Sequence, residues 1–64
     1  MKMFVVLFFD GYSYYFDENA RYFTSWTAAF DYRQKLNLQL AKENHCFTKD
    51  LGEWYEMEEI FEGK

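Results

Sequence analysis

A run of apolar residues near the amino terminus, MFVVLFF at residues 3 to 9, constrains the fold of this chain more than any other feature. The run is short, rich in β-branched and aromatic residues, and followed by the turn-forming pair Asp10-Gly11, a pattern typical of a β-strand. Because its residues are apolar at every position rather than at alternate positions, both faces of the strand require cover. The sequence therefore predicts that this strand lies at the centre of a sheet.

The length of the chain limits how such a sheet can be stabilised. Its 64 residues correspond to a single domain, residues 1 to 64, and a domain of this size buries only about 60% of the surface that its unfolded chain exposes. Cys46 is the only cysteine and His45 the only histidine, so we expect neither a disulfide nor a structural metal site. Aromatic residues make up 25% of the chain, and we expect most of these large rings to build the core.

Charge and hydropathy indicate where the chain acts and what it binds. The apolar run ends at Asp10 and is too short to span a bilayer, so we expect no membrane segment. A single cysteine and no export signal favour the cytoplasm. The net charge of −4 argues against direct nucleic-acid binding and favours basic partners.

The remaining strands are shorter or more polar than the first. Residues 12 to 16 can return along the first strand through a two-residue Asp-Gly turn, and residues 21 to 23 resemble a further strand. The sequence leaves open whether these two pieces form one bulged strand or whether residues 10 to 19 are a wide loop. WYEMEEIFE, residues 54 to 62, is the last predicted strand.

A helical pattern runs from Ser25 to about Glu43, with Thr24 or Ser25 as its N-cap. On a helical wheel the apolar stripe is centred on Ala29, with Leu36 and Leu40 within about 20° of it. Trp26, Phe30 and Tyr32 flank this stripe, and Asp31, Gln34, Lys35 and Lys42 lie on the far side. The elements together predict an α+β fold, ββαβ, in which the helix packs on one face of a three-stranded antiparallel sheet of order 2-1-3.

The strand-to-helix junction YFTSWTAAFDY carries a resemblance to known proteins. Phe23, Thr24, Ala29 and Tyr32 match an aromatic residue, a cap, an alanine and a tyrosine in this order, and the first strand and YEMEEIFE extend the match. In these features the chain resembles small strand-strand-helix-strand proteins of phages and other mobile elements. It is also similar, in length and element order, to small phage inhibitors of host RNA polymerase. The resemblance implies binding to a host factor and brings no catalytic residues.

Residues capable of catalysis or metal binding do not form a recognisable motif. His45 and Cys46 are adjacent, whereas a catalytic Cys-His pair is normally assembled from distant parts of a fold. Asp10, Asp17 and Glu18 lack the ligand spacing of a calcium loop. We therefore expect a protein that is not an enzyme and has no cofactor.

Carboxylates are concentrated in the last strand, at Glu56, Glu58, Glu59 and Glu62. In a strand, Glu56, Glu58 and Glu62 share one face, and Tyr55, Met57 and Phe61 share the other. These acids have two explanations. They protect an edge strand from aggregation, or they form an acidic strip that binds a basic surface on a protein that handles nucleic acids.

One helix covers only one face of the sheet, so an apolar set on the first strand remains for a partner. We predict that this set is Phe4, Val6 and Phe8 rather than the alternative, which comprises Met3, Val5, Leu7 and Phe9. Tyr12, Tyr14 and Tyr15 would extend it into an aromatic surface suited to an interface.

The leading hypothesis is a phage or mobile-element accessory protein that binds and modulates or inhibits a host transcription or defence protein. The second hypothesis is a structural module whose main interaction is homodimerisation. The third is an aromatic binder that sequesters a nucleotide-like ligand, for which Arg21, Arg33 and a few lysines offer the positive charge.

Overall fold

The apolar run at residues 3 to 9 forms the central strand of an antiparallel sheet. The structure, a computed structural model, describes residues 2 to 61, with Phe61 described through its backbone. The elements in chain order are β1 (Lys2–Phe9), β2 (Tyr14–Tyr15), β3 (Arg21–Phe23), α1 (Trp26–Asn44), α2 (Thr48–Leu51) and β4 (Trp54–Phe61). The predicted α+β class is confirmed.

Strand β1 pairs along both of its edges. β4 occupies one edge without interruption, from Lys2 opposite Phe61 to Phe9 opposite Trp54. The other edge is shared by β2, which pairs with Phe8 and Phe9, and by β3, which pairs with residues 4 to 6. The first predicted strand, β1, therefore lies between the second, which is divided into β2 and β3, and the third, which is β4. The predicted order 2-1-3 is confirmed in this sense.

The division of the second strand settles the alternatives that the sequence left open. Leu7 lies between the last β2 pair and the first β3 pair, and residues 16 to 20 separate the two pieces on the opposite side. Asp17 organises this segment, because its carbonyl accepts from the Ala20 amide at 3.0 Å and its Oδ1 accepts from the Asn19 amide at 3.1 Å. Residues 16 to 20 are therefore an excursion between two short strands.

The predicted two-residue turn at Asp10-Gly11 is wrong. Phe9 pairs with Tyr14, so the hairpin loop comprises the four residues 10 to 13. Asp10 Oδ1 accepts from the amides of both Tyr12 and Ser13 at 2.8 Å. These two bonds stabilise the longer loop, and they lower the pKa of the Asp10 carboxyl, that from Ser13 contributing most.

Helix α1 begins and ends close to its predicted bounds. Ser25, rather than Thr24, is the N-cap, and its hydroxyl accepts from the Ala28 amide at 3.3 Å. The helix ends at His45, which adopts the left-handed conformation with φ 55°. The short helix α2, which the sequence analysis did not predict, follows and ends at Gly52 with φ 83°.

The core lies between α1 and the face of the sheet that carries Phe4, Val6 and Phe8. Ala29 and Val6 are fully buried, and Leu36 and Leu40 pack against the same cluster. The other members of the core are Phe4, Phe8, Phe23, Tyr32, Tyr55 and Met57. The predicted helix stripe is confirmed.

One prediction about the core is wrong. Phe4, Val6 and Phe8 do not form the open face, because α1 covers them. The physical reason lies in β4: its apolar Tyr55 and Met57 must face the core, and the register places them beside Phe8 and Val6. Trp26, which flanks the helix stripe, lies outside the core, since it is 52% exposed and stacks on Phe30 at 4.9 Å.

Within residues 2 to 61, neither α1 nor α2 combines the length and apolar character that a membrane span requires.

Candidate functional site

The face of the sheet opposite α1, here called the open face, combines aromatic rings with carboxylates. Strand β1 contributes Met3, Val5, Leu7 and Phe9, because these residues alternate with the core set. Register adds Tyr14 and Tyr22 on one side and Trp54, Glu56, Glu58 and Ile60 on the other. Phe16 follows Tyr15 and joins this group through its ring contact with Tyr22, at 6.3 Å between centroids.

The centre of the open face is aliphatic and its surroundings are aromatic. Val5 is 1% exposed and Leu7 is 8% exposed, although no helix packs against them in the described part of the chain. Tyr14, Phe16 and Tyr22 are each about half exposed or more. Val5 and Leu7 are thus covered by neighbouring side chains, and the neighbouring rings present the apolar surface to solvent.

Phe9 organises the aromatic group at one end of this face. Its ring lies 4.9 Å from the ring of Tyr14 and 5.0 Å from that of Trp54, and both pairs are tilted. Contacts of this length and geometry are favourable beyond the area that they bury. The three rings therefore form a continuous patch that spans β2, β1 and β4.

The carboxylates lie along the β4 side of the open face. Trp54 Nε1 donates to Glu56 Oε2 at 2.6 Å, which fixes this carboxylate beside the aromatic patch. Glu58 lies opposite Val5 one pair further along the same face, and its side chain is exposed. The open face therefore has exposed rings from β2 and β3 on one side. On the other side, next to Trp54 on β4, Glu56 and Glu58 form an acidic border.

The structure separates the residues of the predicted acidic strip. Glu56 and Glu58 share a face as predicted, with Tyr55 and Met57 on the other. Glu59 lies opposite Phe4, on the α1 side of the sheet, and pairs with Lys2 Nζ at 3.4 Å. Glu62 lies outside the described residues.

The predicted tyrosines are also separated. Tyr14 lies on the open face, whereas Tyr15 lies opposite Phe8 on the α1 side and Tyr12 projects from the hairpin loop with 93% of its surface exposed. Sequence reasoning missed Phe9, Phe16, Tyr22 and Trp54 as members of the site. Trp54 could have been found from its spacing, because it lies two residues before Glu56 in a strand.

A polar network beneath the sheet holds residues 16 to 20 in place. The Tyr55 hydroxyl donates to Asp17 Oδ2 at 2.9 Å and accepts from Asn19 Nδ2 at 3.1 Å. Tyr32 donates to the Asn19 carbonyl at 2.8 Å. Burial, followed by the nearby Asp17 carboxylate, raises the pKa of Tyr55. Because Phe16 begins this anchored segment, the network also positions one edge of the open face.

His45 and Cys46 take part in the end of α1 through their backbones. The backbone of His45 terminates α1, and the Cys46 amide donates to the Ala41 carbonyl at 3.1 Å. Among the residues that the structure describes, no three His, Cys, Asp or Glu side chains are placed to hold a metal ion. A hollow of about 500 Å³ between α1 and α2 is bordered by Leu38, Ala41 and Phe47.

Comparison with protein families, with curated proteins and with solved structures finds no match to this chain. The open face is therefore a candidate functional site because of its geometry alone.

Proposed function

We propose that this chain is a non-enzymatic protein-binding module whose open face docks onto a basic surface of another protein. The observation that carries the proposal is the placement of exposed aromatic rings beside Glu56 and Glu58 on a face that α1 leaves uncovered. Tyrosine and tryptophan are enriched at protein interfaces because their rings are apolar while their polar atoms tolerate water. In the phage setting implied by the sequence resemblance, the partner is a host transcription or defence protein that binding modulates or inhibits.

The acidic border gives the proposed interface its preference for basic partners. Glu56 is held by the Trp54 indole, so little side-chain freedom is lost when a lysine or arginine approaches it. Glu58 adds a charge that is exposed, and the net charge of −4 attracts a basic partner from a distance. Complementary charges accelerate association and exclude acidic partners.

The two alternative functions fit the open face less well. In a dimer joined through this face, Glu56 and Glu58 would enter the interface together with the equivalent charges of the second copy, which is unfavourable. A nucleotide-like ligand needs positive charge for its phosphates. Arg21 Nε instead donates to the Tyr32 hydroxyl at 3.1 Å, and Arg33 lies over the Phe30 ring at 5.2 Å.

Affinity capture from host lysate with matched variants tests the proposal. The immobilised chain should retain a basic protein, and both Tyr22→Ala and Glu58→Lys should lose it while remaining folded by circular dichroism. Lys35→Ala, on the exposed far side of α1, should retain it as the unchanged chain does. Retention that is equal in all four proteins, or no retained protein at all, would contradict the proposed function. Light scattering of the unchanged chain should give the mass of a monomer, and a dimer that Tyr22→Ala dissociates would favour homodimerisation instead.

A further inference from the structure

The outer edge of β4, away from β1, is partly occupied by a side chain that imitates a strand. Asn37 Oδ1 accepts from the Tyr55 amide at 2.7 Å, and Asn37 Nδ2 donates to the Tyr55 carbonyl at 3.2 Å. A residue on a neighbouring antiparallel strand would make the same pair of bonds to Tyr55. The side-chain amide of Asn37 therefore takes the place of one residue of an additional strand.

The alternation of the backbone shows what lies further along this edge. Tyr55 directs its amide and carbonyl outward, and the register between β1 and β4 is unbroken from Trp54 to Phe61. Met57 and Glu59 therefore also direct their backbone groups outward, while Glu56 and Glu58 bond to β1. Unlike Tyr55, neither Met57 nor Glu59 has a partner for these outward groups within residues 2 to 61.

We infer that an extended basic segment of the partner adds to this edge as a fifth strand, antiparallel to β4 at Met57 and Glu59. The inference rests on the proposed function, because the same basic protein supplies the segment, and it specifies how that protein docks. Strand addition to an exposed edge is an established mode of peptide recognition, in which main-chain bonds supply affinity and alternate side chains supply specificity.

Charge determines the occupant of the edge. A residue of the added strand that lies opposite Glu58 shares the open face with Glu58 and Glu56, where a lysine or arginine is favoured. Its neighbours lie opposite Met57 and Glu59 on the α1 side, where an apolar residue can contact Met57. A second copy of β4 would instead bring its own glutamates against these carboxylates, so charge disfavours self-pairing.

Asn37 also limits the length and position of the added strand. Since it already occupies the Tyr55 position, the segment must end before Tyr55. The other edge of the sheet offers no equivalent site, because residues 16 to 20 interrupt it between β2 and β3. The structure thus directs strand addition to the half of β4 that follows Tyr55.

Hydrogen exchange with a defined probe tests this inference. The probe is a synthetic peptide of about seven residues that alternates lysine and valine, a length that matches an ordinary strand. At about 80% occupancy, exchange of the Met57 and Glu59 amides should slow about fivefold, because only unoccupied protein exchanges freely. Unchanged exchange at these two amides with saturating peptide, or no binding at millimolar peptide, would overturn the inference.

Backbone variants separate strand pairing from simple charge attraction. In the antiparallel arrangement the valines lie opposite Met57 and Glu59 and donate to β4, so N-methylation of the valines should abolish binding and N-methylation of the lysines should not. Equal effects of the two methylations would contradict strand addition, and this comparison requires no change to the protein.

A variant pair in the protein addresses the same point. Glu59→Pro removes an outward amide without removing a β1 bond, and it should weaken peptide binding by about tenfold or more, whereas Glu59→Gln should bind within about threefold of the unchanged chain. If Glu59→Pro still captures the basic protein that Tyr22→Ala loses, the strand inference fails and the proposed function stands. If the peptide protects Met57 and Glu59 while Tyr22→Ala captures normally, the proposed function fails instead.

Discussion

The hydroxyl of Tyr55, on β4, donates a hydrogen bond to the carboxylate of Asp17, which lies beyond β1 in the segment between β2 and β3, at 2.9 Å. The same hydroxyl accepts from Asn19, so one side chain ties the carboxyl-terminal strand to the amino-terminal excursion. Tyr55 is 7% exposed, and its ring packs against Phe8 at 5.2 Å. It is therefore both a core residue and the anchor of residues 16 to 20.

Tyr55→Phe should lower the free energy of unfolding by about 1 to 2 kcal/mol, because the partly buried polar groups of Asp17 and Asn19 lose a partner while the core volume is conserved. Chemical denaturation measures this loss. The amides of residues 16 to 20 should also exchange faster in the variant. An unchanged stability would mean that the hydroxyl network contributes nothing to the fold.

The raised pKa of Tyr55 predicts how stability depends on alkaline pH. The folded state favours the neutral phenol of Tyr55, and this preference stabilises the fold. The stabilisation is fully present below the ordinary tyrosine pKa of about 10, and it is lost as pH rises through the higher pKa of the folded state. Stability should therefore fall above about pH 10. In Tyr55→Phe the part of this fall that Tyr55 causes should disappear. Denaturation midpoints of both proteins between neutral and alkaline pH provide the comparison.

Phe8→Asp and Tyr22→Asp should have opposite consequences for folding and binding. Phe8 packs in the core with Tyr55, and an unpaired carboxylate there should unfold so small a domain. Tyr22 is 55% exposed on the open face, so Tyr22→Asp should fold and lose the partner. Circular dichroism combined with affinity capture distinguishes the two variants. A folded Phe8→Asp protein would contradict the assignment of the faces.

Leu36→Ala should destabilise the domain by at least about 2 kcal/mol, since Leu36 packs against the core cluster beneath α1. Lys35→Ala changes the adjacent, exposed residue and should alter stability by less than about 0.5 kcal/mol. Urea denaturation of the pair measures the difference. Similar effects at the two positions would show that α1 does not dock through its predicted stripe.

His45→Gly should stabilise the chain by about 0.5 to 1 kcal/mol. His45 ends α1 at φ 55°, a conformation that costs energy for a residue with a Cβ and little for glycine. His45→Ala keeps the Cβ and is the matched control, which should gain nothing. Thermal unfolding of the three proteins should rank glycine first, and equal midpoints would indicate that the left-handed cap is not strained.

Strand β1 and helix α1 could be predicted because each has a local signal. The apolar run of β1, the helix cap at Thr24 or Ser25 and the Ala29, Leu36 and Leu40 stripe lie within single segments. The structure confirms the run and the stripe and selects Ser25 as the cap. The shared face of Glu56 and Glu58 followed from strand alternation in the same way.

The sequence of β1 could not predict which of its faces α1 covers, because both faces are apolar. It is decided by β4, where Tyr55 and Met57 alternate with Glu56 and Glu58, and the register then carries this polarity to β1. The conformation of residues 16 to 20 could not be predicted for a related reason. Their position depends on contacts with Tyr55, which is 38 residues from Asp17, and no local pattern records a contact of that range.

The division of the second strand has a consequence for assembly. A protein that polymerises by strand pairing needs two usable edges, one to receive a molecule and one to offer to the next. Here β2 and β3 are two and three residues long and are set apart by residues 16 to 20, so that side is too short to act as a template. With a single usable edge, pairing between copies cannot continue from one molecule to the next, which protects an aromatic-rich chain from forming filaments.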